Sequence, residues 1–194
     1  MLIRHEIIVK ATVRQDKLLT KFIRSLRDKG ASISIVDEVY RRVILKIPLL
    51  KYEFVAPLLK EYVSTASYEV RATLLHSLSA TQLMHIMDYL RKTFDKIHIV
   101  KPEQSYTRIL GLIKIDSRGS LIEIYPSRSK HRGKIIIRYI PKLVQMDTLD
   151  LSLLPPSMYT LNYTDDEDFK KNIRKAVETL NEVEDKIIKV IRPK

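Results

Sequence analysis

The 194-residue chain has no cysteine and no tryptophan, only four glycines, and no run of apolar residues long enough to span a bilayer. Without cysteine there are no disulfides, no thiolate nucleophiles and no Cys-based zinc sites, so zinc-finger readers of nucleic acid are excluded. A cysteine-free chain also fits an intracellular, cytoplasmic setting. The glycines stand alone at 30, 111, 119 and 133, which leaves no room for a P-loop or a dinucleotide fingerprint. The five histidines, His5, His76, His85, His98 and His131, have no metal-ligand spacing. No metal, cofactor or catalytic residue is expected. The N-terminus MLIRHEIIVK meets acid and base too early for a secretory hydrophobic region, so we expect an uncleaved protein that does not enter a membrane.

Acid is scarce relative to base: 35 Lys and Arg face 23 Asp and Glu, for a net charge of +12. Richness in Ile, Lys and Arg with little Gln is a bias of proteins from hot habitats, archaea among them, but heat adaptation raises Glu alongside Lys and does not explain the sign. The excess is local. Residues 101–142 hold ten Lys or Arg and three acids, whereas residues 151–194 hold eight of each. Self-repulsion on that scale opposes folding, and the benefit that offsets it is attraction to a polyanion, of which nucleic acid is the commonest in a cell.

Hydrophobic periodicity sets the expected fold. Ile3 to Val13 alternates as a half-buried strand; Leu18, Leu19, Phe22, Ile23 and Leu26 then line one side of a helix, with Gly30 placed as its C-terminal cap. Ala31, Ile33 and Ile35, then Val43, Leu45 and Ile47, alternate as a hairpin that ends at Pro48. A short helix follows, with Pro57 in its first turn or kinking it, then a strand around Tyr68 to Leu74. This βαββαβ order is that of a ferredoxin-like unit over residues 1–76. For residues 77–194 we expect a helix opened by a Ser79/Gln82 capping box and an antiparallel sheet with a turn at Asp116–Gly119. A long helix opened by Thr164 and Glu167 would close the chain. The expected class is α+β, in two subdomains or one continuous domain.

Three surfaces carry candidate nucleic-acid contacts. Between the last two expected strands, Arg128, Lys130, His131, Arg132 and Lys134 crowd around Gly133 and hydroxyls, a combination suited to phosphate oxygens, and Arg138 follows on the strand. On the first helix Lys17, Lys21 and Arg24, in line with Arg14, lie opposite the apolar stripe. On the uncovered face of the first sheet Tyr40, Arg42 and Lys46 stand with Arg4, Ile8, Lys10, Ile44 and Arg71. RNA-recognition domains read RNA on such a face, but Tyr40 to Ile47 lacks their glycines and aromatics, so only the architecture is shared.

The leading expectation is a non-catalytic nucleic-acid-binding protein, with RNA slightly favoured over DNA. An alternative is a subunit of a larger assembly. Phe169, Ile173, Leu180, Val183 and Ile187, with Ala176 and Val190, step by four and three in an unbroken seam that suits packing within the chain, a homodimer or a protein partner. A further alternative is a metal-independent ribonuclease using His131 with Tyr125 or Lys130.

Overall fold

The computed structural model describes residues 3–94, 96–100, 112–117, 120–127, 134–141, 161–162 and 165–192. Strand β1 (Ile3–Val13) buries Ile7, Val9, Ala11 and Val13 on one face and exposes Arg4 and Lys10 on the other. Helix α1 (Asp16–Asp28) buries Leu19, Phe22 and Leu26. It ends in paired C-terminal bonds: the Ala31 N–H donates to the Leu26 carbonyl at 3.0 Å and the Gly30 N–H to that of Arg27 at 2.9 Å. Gly30 takes φ 81°, the left-handed conformation this cap requires and a Cβ resists.

Strands β2 (Ser32–Asp37) and β3 (Arg42–Pro48) pair antiparallel; a 3-10 turn at Leu49–Lys51 leads into α2 (Tyr52–Tyr62), and β4 (Val63–Leu74) returns beside β1. The chain continues through α3 (Ala80–Arg91), β5 (Lys96–Val100), β6 (Leu112–Ser117), β7 (Ser120–Ser127), β8 (Lys134–Pro141), β9 (Leu161–Asn162) and α4 (Asp166–Ile191). The described strands form one antiparallel sheet in the order β2-β3-β1-β4-β8-β7-β6-β5, with β9 also on β4. The protein is therefore a mixed α+β fold with four described α-helices, the last one long. The point between residues 76 and 77 marks no break in the sheet, because Val70–Leu74 of β4 pair with Ile135–Tyr139 of β8.

The helices share one buried cluster with one face of the sheet. That face is made by odd positions of β1, β3 and β8 and even positions of β4. Helix α4 runs 26 residues, about 39 Å at ~1.5 Å per residue, and lies against β4, β8, α2 and α3. Phe169, Ile173, Ala176, Leu180, Val183 and Ile187 are all buried there. This corrects the partner-interface expectation: Phe169, Ile173, Leu180, Val183 and Ile187 are consumed by the protein's own core and offer no surface to a second chain. Phe169 anchors the helix, with its ring edge-on to Tyr68 at 4.8 Å and to Tyr52 at 6.5 Å between centroids.

Several local expectations shift by a residue or a face. The register slips between Ile33 and Ile35, so Ile33 pairs with Leu45 on the covered face while Ile35 pairs with Ile44 on the other and is 55% exposed. A bulge at Ser34, whose hydroxyl donates to the Ile44 carbonyl at 2.9 Å, inverts the alternation that Ile33 and Ile35 suggest. Pro57 sits well inside α2, where it has no N–H to donate to the Glu53 carbonyl; both residues are exposed, so water can reach that oxygen. The Ser79/Gln82 capping box forms, with both bonds present. Helix α4 is capped by Asp165, which accepts from the Asp168 N–H at 2.8 Å, one residue beyond the expected Thr164. The β6–β7 pairing closes at Ser117 and Ser120, one residue further along the chain than the expected Asp116 and Gly119.

One charged pair enters the helix-covered side. Glu184 of α4 is 5% exposed, and its Oε1 lies 2.6 Å from His5 Nε2 on β1. The hydrogen bond to Glu184 raises the His5 pKa above its ordinary 6.5; burial opposes this and the carboxylate charge reinforces it. Because the folded pKa is the higher one, the pair's contribution is complete below about pH 6.5 and is lost as pH rises through the raised value.

Two outcomes follow for stability. Phe169→Ala should cost about 3–5 kcal/mol by urea denaturation, since it empties a fully packed aromatic site. His5→Ala should cost about 2–3 kcal/mol in mildly acidic buffer, because it leaves Glu184 buried without its partner, and much of that penalty should disappear in alkaline buffer. A pH-independent loss for His5→Ala would contradict the ion pair.

Candidate functional site

The described helices all lie on one side of the sheet, so the candidate site is its other face. There β1 contributes Arg4, Glu6, Ile8, Lys10 and Thr12; β3 contributes Arg42, Ile44 and Lys46; β4 contributes Glu69, Arg71 and Thr73; and β8 contributes Lys134, Ile136 and Arg138. Register brings the cations of β1 and β3 together. Lys10 stands opposite Ile44, Lys46 opposite Ile8 and Arg42 opposite Thr12. At ~3.3 Å per residue, Arg42 and Lys46 are about 13 Å apart along β3, with Lys10 on the next strand between them. Among the described residues no carboxylate pairs with Lys10, Arg42 or Lys46.

The aromatic element sits at the end of this group. Asp37 accepts from the Tyr40 N–H at 3.1 Å and the Arg41 N–H donates to the Glu38 carbonyl at 3.3 Å, which shapes the tight turn that projects Val39 and Tyr40. Tyr40 is 61% exposed, and the Arg42 guanidinium carbon lies 5.2 Å from its ring centroid. A cation over an exposed aromatic face holds that ring in place while leaving its other face to solvent.

The β4–β8 half of the same face is different. Glu69 accepts from Arg138 through Nε at 3.1 Å and through Nη2, and from Arg71 Nη2 at 2.6 Å. Burial acts to raise the Glu69 carboxyl, but hydrogen bonds and charge from Arg138 and then Arg71 outweigh it and hold the group below the usual carboxylate range. Arg138, a sequence-derived candidate for phosphate contact, is thus engaged by a carboxylate. Arg71 is held by one terminal nitrogen, and its Nε is buried without a partner. The signal for this network was present in the sequence, because Glu69 and Arg71 are two residues apart on one strand and share a face.

The remaining candidates are placed as follows. Lys17, Lys21 and Arg24 are exposed on α1 in the helix layer, with Lys21 Nζ 5.6 Å from the Tyr62 ring centroid, so they belong to a different surface from Lys10, Arg42 and Lys46. Arg14, expected in line with them, precedes α1 and donates instead to the Val63 and Lys60 carbonyls at 3.0 and 2.9 Å, closing the end of α2. Arg128, Lys130, His131 and Arg132 lie outside the described residues; the strands on either side of them pair up to Ser127 and Lys134. Lys134 is exposed at that end, which is also the Arg4 end of the face.

Among the described residues no cluster of acids and histidines could hold a metal ion, and no helix is long and apolar enough to cross a membrane. No protein-family model and no curated protein matches the chain. The candidate site's chemistry is cations at strand spacing with no carboxylate partner among the described residues, beside an exposed, cation-held aromatic ring, a set suited to binding phosphates and a stacked base.

The Glu69 network also sets an acid limit on stability. Its folded pKa lies below the ordinary 4.5, so its contribution is present above that value and is lost as pH falls through the depressed one. Glu69→Gln should lower stability by about 1–3 kcal/mol near neutral pH and flatten the fall in urea midpoint between about pH 5 and pH 3. An unchanged acid limb would remove the network from the stability account.

Proposed function

We propose that this is a non-catalytic nucleic-acid-binding protein that holds a single strand, RNA in preference to DNA, on the face of β1 and β3 away from the described helices. The observation that carries the reading is the segregation of charge on that face. Among the described residues Lys10, Arg42 and Lys46 have no carboxylate partner, while Arg71 of β4 and Arg138 of β8 are engaged by Glu69. A folded protein gains nothing in stability from three neighbouring like charges, and phosphates give them a counter-charge. Tyr40 supplies a stacking surface at one end, and Ile44 an apolar floor between the two cations of β3. Unstacked bases, which single strands offer and duplexes do not, suit a flat face with one aromatic ring.

The 128–132 segment extends the reading by composition. It adds three cations, Arg128, Lys130 and Arg132, to the chain shortly before Lys134, and Lys134 lies at the end of the sheet where Arg4 also lies. We infer as well that residues 3–74 form a ferredoxin-like unit. What supports this is the order β1-α1-β2-β3-α2-β4 together with the antiparallel neighbours β2-β3-β1-β4.

The test is binding to labelled single-stranded and duplex RNA and DNA across a salt series. The unmodified protein should bind single strands best, with affinity falling steeply as salt rises. Replacing Lys10, Arg42 and Lys46 together by Ala should lower the salt slope by about 2, since each single-strand phosphate contact contributes roughly 0.7. Replacing Lys17, Lys21 and Arg24 should change it little. Salt-independent binding, or a loss of slope confined to the α1 variant, would overturn the reading.

A further inference from the structure

We infer that Glu69 is a specificity-determining residue that confines the bound strand to β1 and β3 by withholding Arg71 from phosphate; this rests on the nucleic-acid reading above. Register makes the case. Glu69 stands beside Ile8, which faces Lys46 across the other edge of β1, so Glu69 is one strand removed from the unpaired cations. Arg71 stands beside Glu6 on the neighbouring row and opposite Arg138 on β8. Without Glu69, the cationic surface would run on from Lys10 and Lys46 across β4 toward β8. With it, the surface stops at β1.

Arg71 is the residue whose behaviour decides this. Its ion pair among the described residues is the single bond from Nη2 to Glu69 at 2.6 Å, and its Nε has no partner. Arg138 is gripped by the same carboxylate through two nitrogens. The Arg71 side chain is 27% exposed and its ion pair is that one bond, so its guanidinium can turn to a phosphate oxygen once the competing carboxylate is removed. Glu69 therefore acts as an internal substitute for phosphate, and strand placement is decided by what is neutralised as well as by what is left free.

The experiment measures binding of a labelled single-stranded polyuridine by anisotropy across a salt series. The proteins compared are the unmodified chain, Glu69→Gln, Glu6→Gln, and Glu69→Gln combined with Arg71→Ala. Glu6 lies on the same face and has no ion pair among the described residues, so Glu6→Gln reports what the loss of one nearby negative charge does by itself. Glu69→Gln should tighten binding several-fold more than Glu6→Gln and steepen the salt slope by about 0.7, the increment of one added phosphate contact. Adding Arg71→Ala should remove most of that added slope, any remainder belonging to Arg138, which Glu69 also holds. The inference is overturned if Glu69→Gln gains no more than Glu6→Gln, or if its gain survives Arg71→Ala. Failure of the unmodified protein to bind polyuridine would overturn the functional reading and this inference together, whereas normal binding with equal glutamine variants would overturn this inference alone. Thermal melts of all four proteins show whether each is folded at the assay temperature.

Discussion

The burial of the α4 seam against β4 and β8 is the constraint on which the rest of the structure depends. Six side chains, from Phe169 to Ile187, turn a long amphipathic helix into the cover of the middle of the sheet, and Tyr68, Ile137 and Tyr139 form the floor beneath it. An apolar stripe of that length cannot stay in water at a cost of about 1.5–3 kcal/mol for each large side chain exposed. Once α4 takes the β4–β8 region and α1 and α2 take β1–β3, the described helices are all on one side. The opposite face then carries the charge: Arg, Lys and Glu with Thr alternate there with Ile8, Ile44 and Ile136, where the helix-covered face is almost wholly apolar.

That one-sidedness separates roles among residues of the same type. Arg14 and Arg41 serve the backbone of the α1–α2 corner, with Arg41 donating to the Arg14 carbonyl at 2.8 Å and lying 3.4 Å from Asp16. Arg138 and Arg71 serve Glu69. Lys10, Arg42 and Lys46 serve no described carboxylate. A net charge of +12 is thus a poor description of the protein, because much of the described cationic surface already has a structural task. The charge that remains unpaired is what a polyanion would meet.

Much of the first half was legible in the sequence, since period-2 and period-3.6 patterns alternate cleanly from Ile3 to Leu74 and Gly30 marks a helix end that only a left-handed residue can make. The covered and uncovered sides of β1 and β3 follow from parity alone. Parity failed at β2, where the bulge at Ser34 turned Ile35 outward; an extra residue in one strand leaves no trace in the alternation of that strand. It also could not say what would cover the α4 seam, because a stripe at heptad spacing reads the same whether it packs on a sheet or on another helix. Pairings between distant positions, His5 with Glu184 and Glu69 with Arg138, depend on tertiary register that no local pattern encodes. Of the candidate site residues, Arg42, Lys46 and Tyr40 fall together on the uncovered side with Lys10, while Lys17, Lys21 and Arg24 fall in the helix layer.

On the proposed reading, a single strand sits on the face of β1 and β3 away from the described helices. Backbone amide chemical shifts, recorded by NMR while single-stranded RNA is added, test it residue by residue. The largest changes should fall at Lys10, Tyr40, Arg42, Ile44 and Lys46, with Lys17, Lys21 and Arg24 on α1 and the buried seam of α4 nearly unchanged. Changes concentrated on α1 with the β1–β3 amides unmoved would contradict that reading.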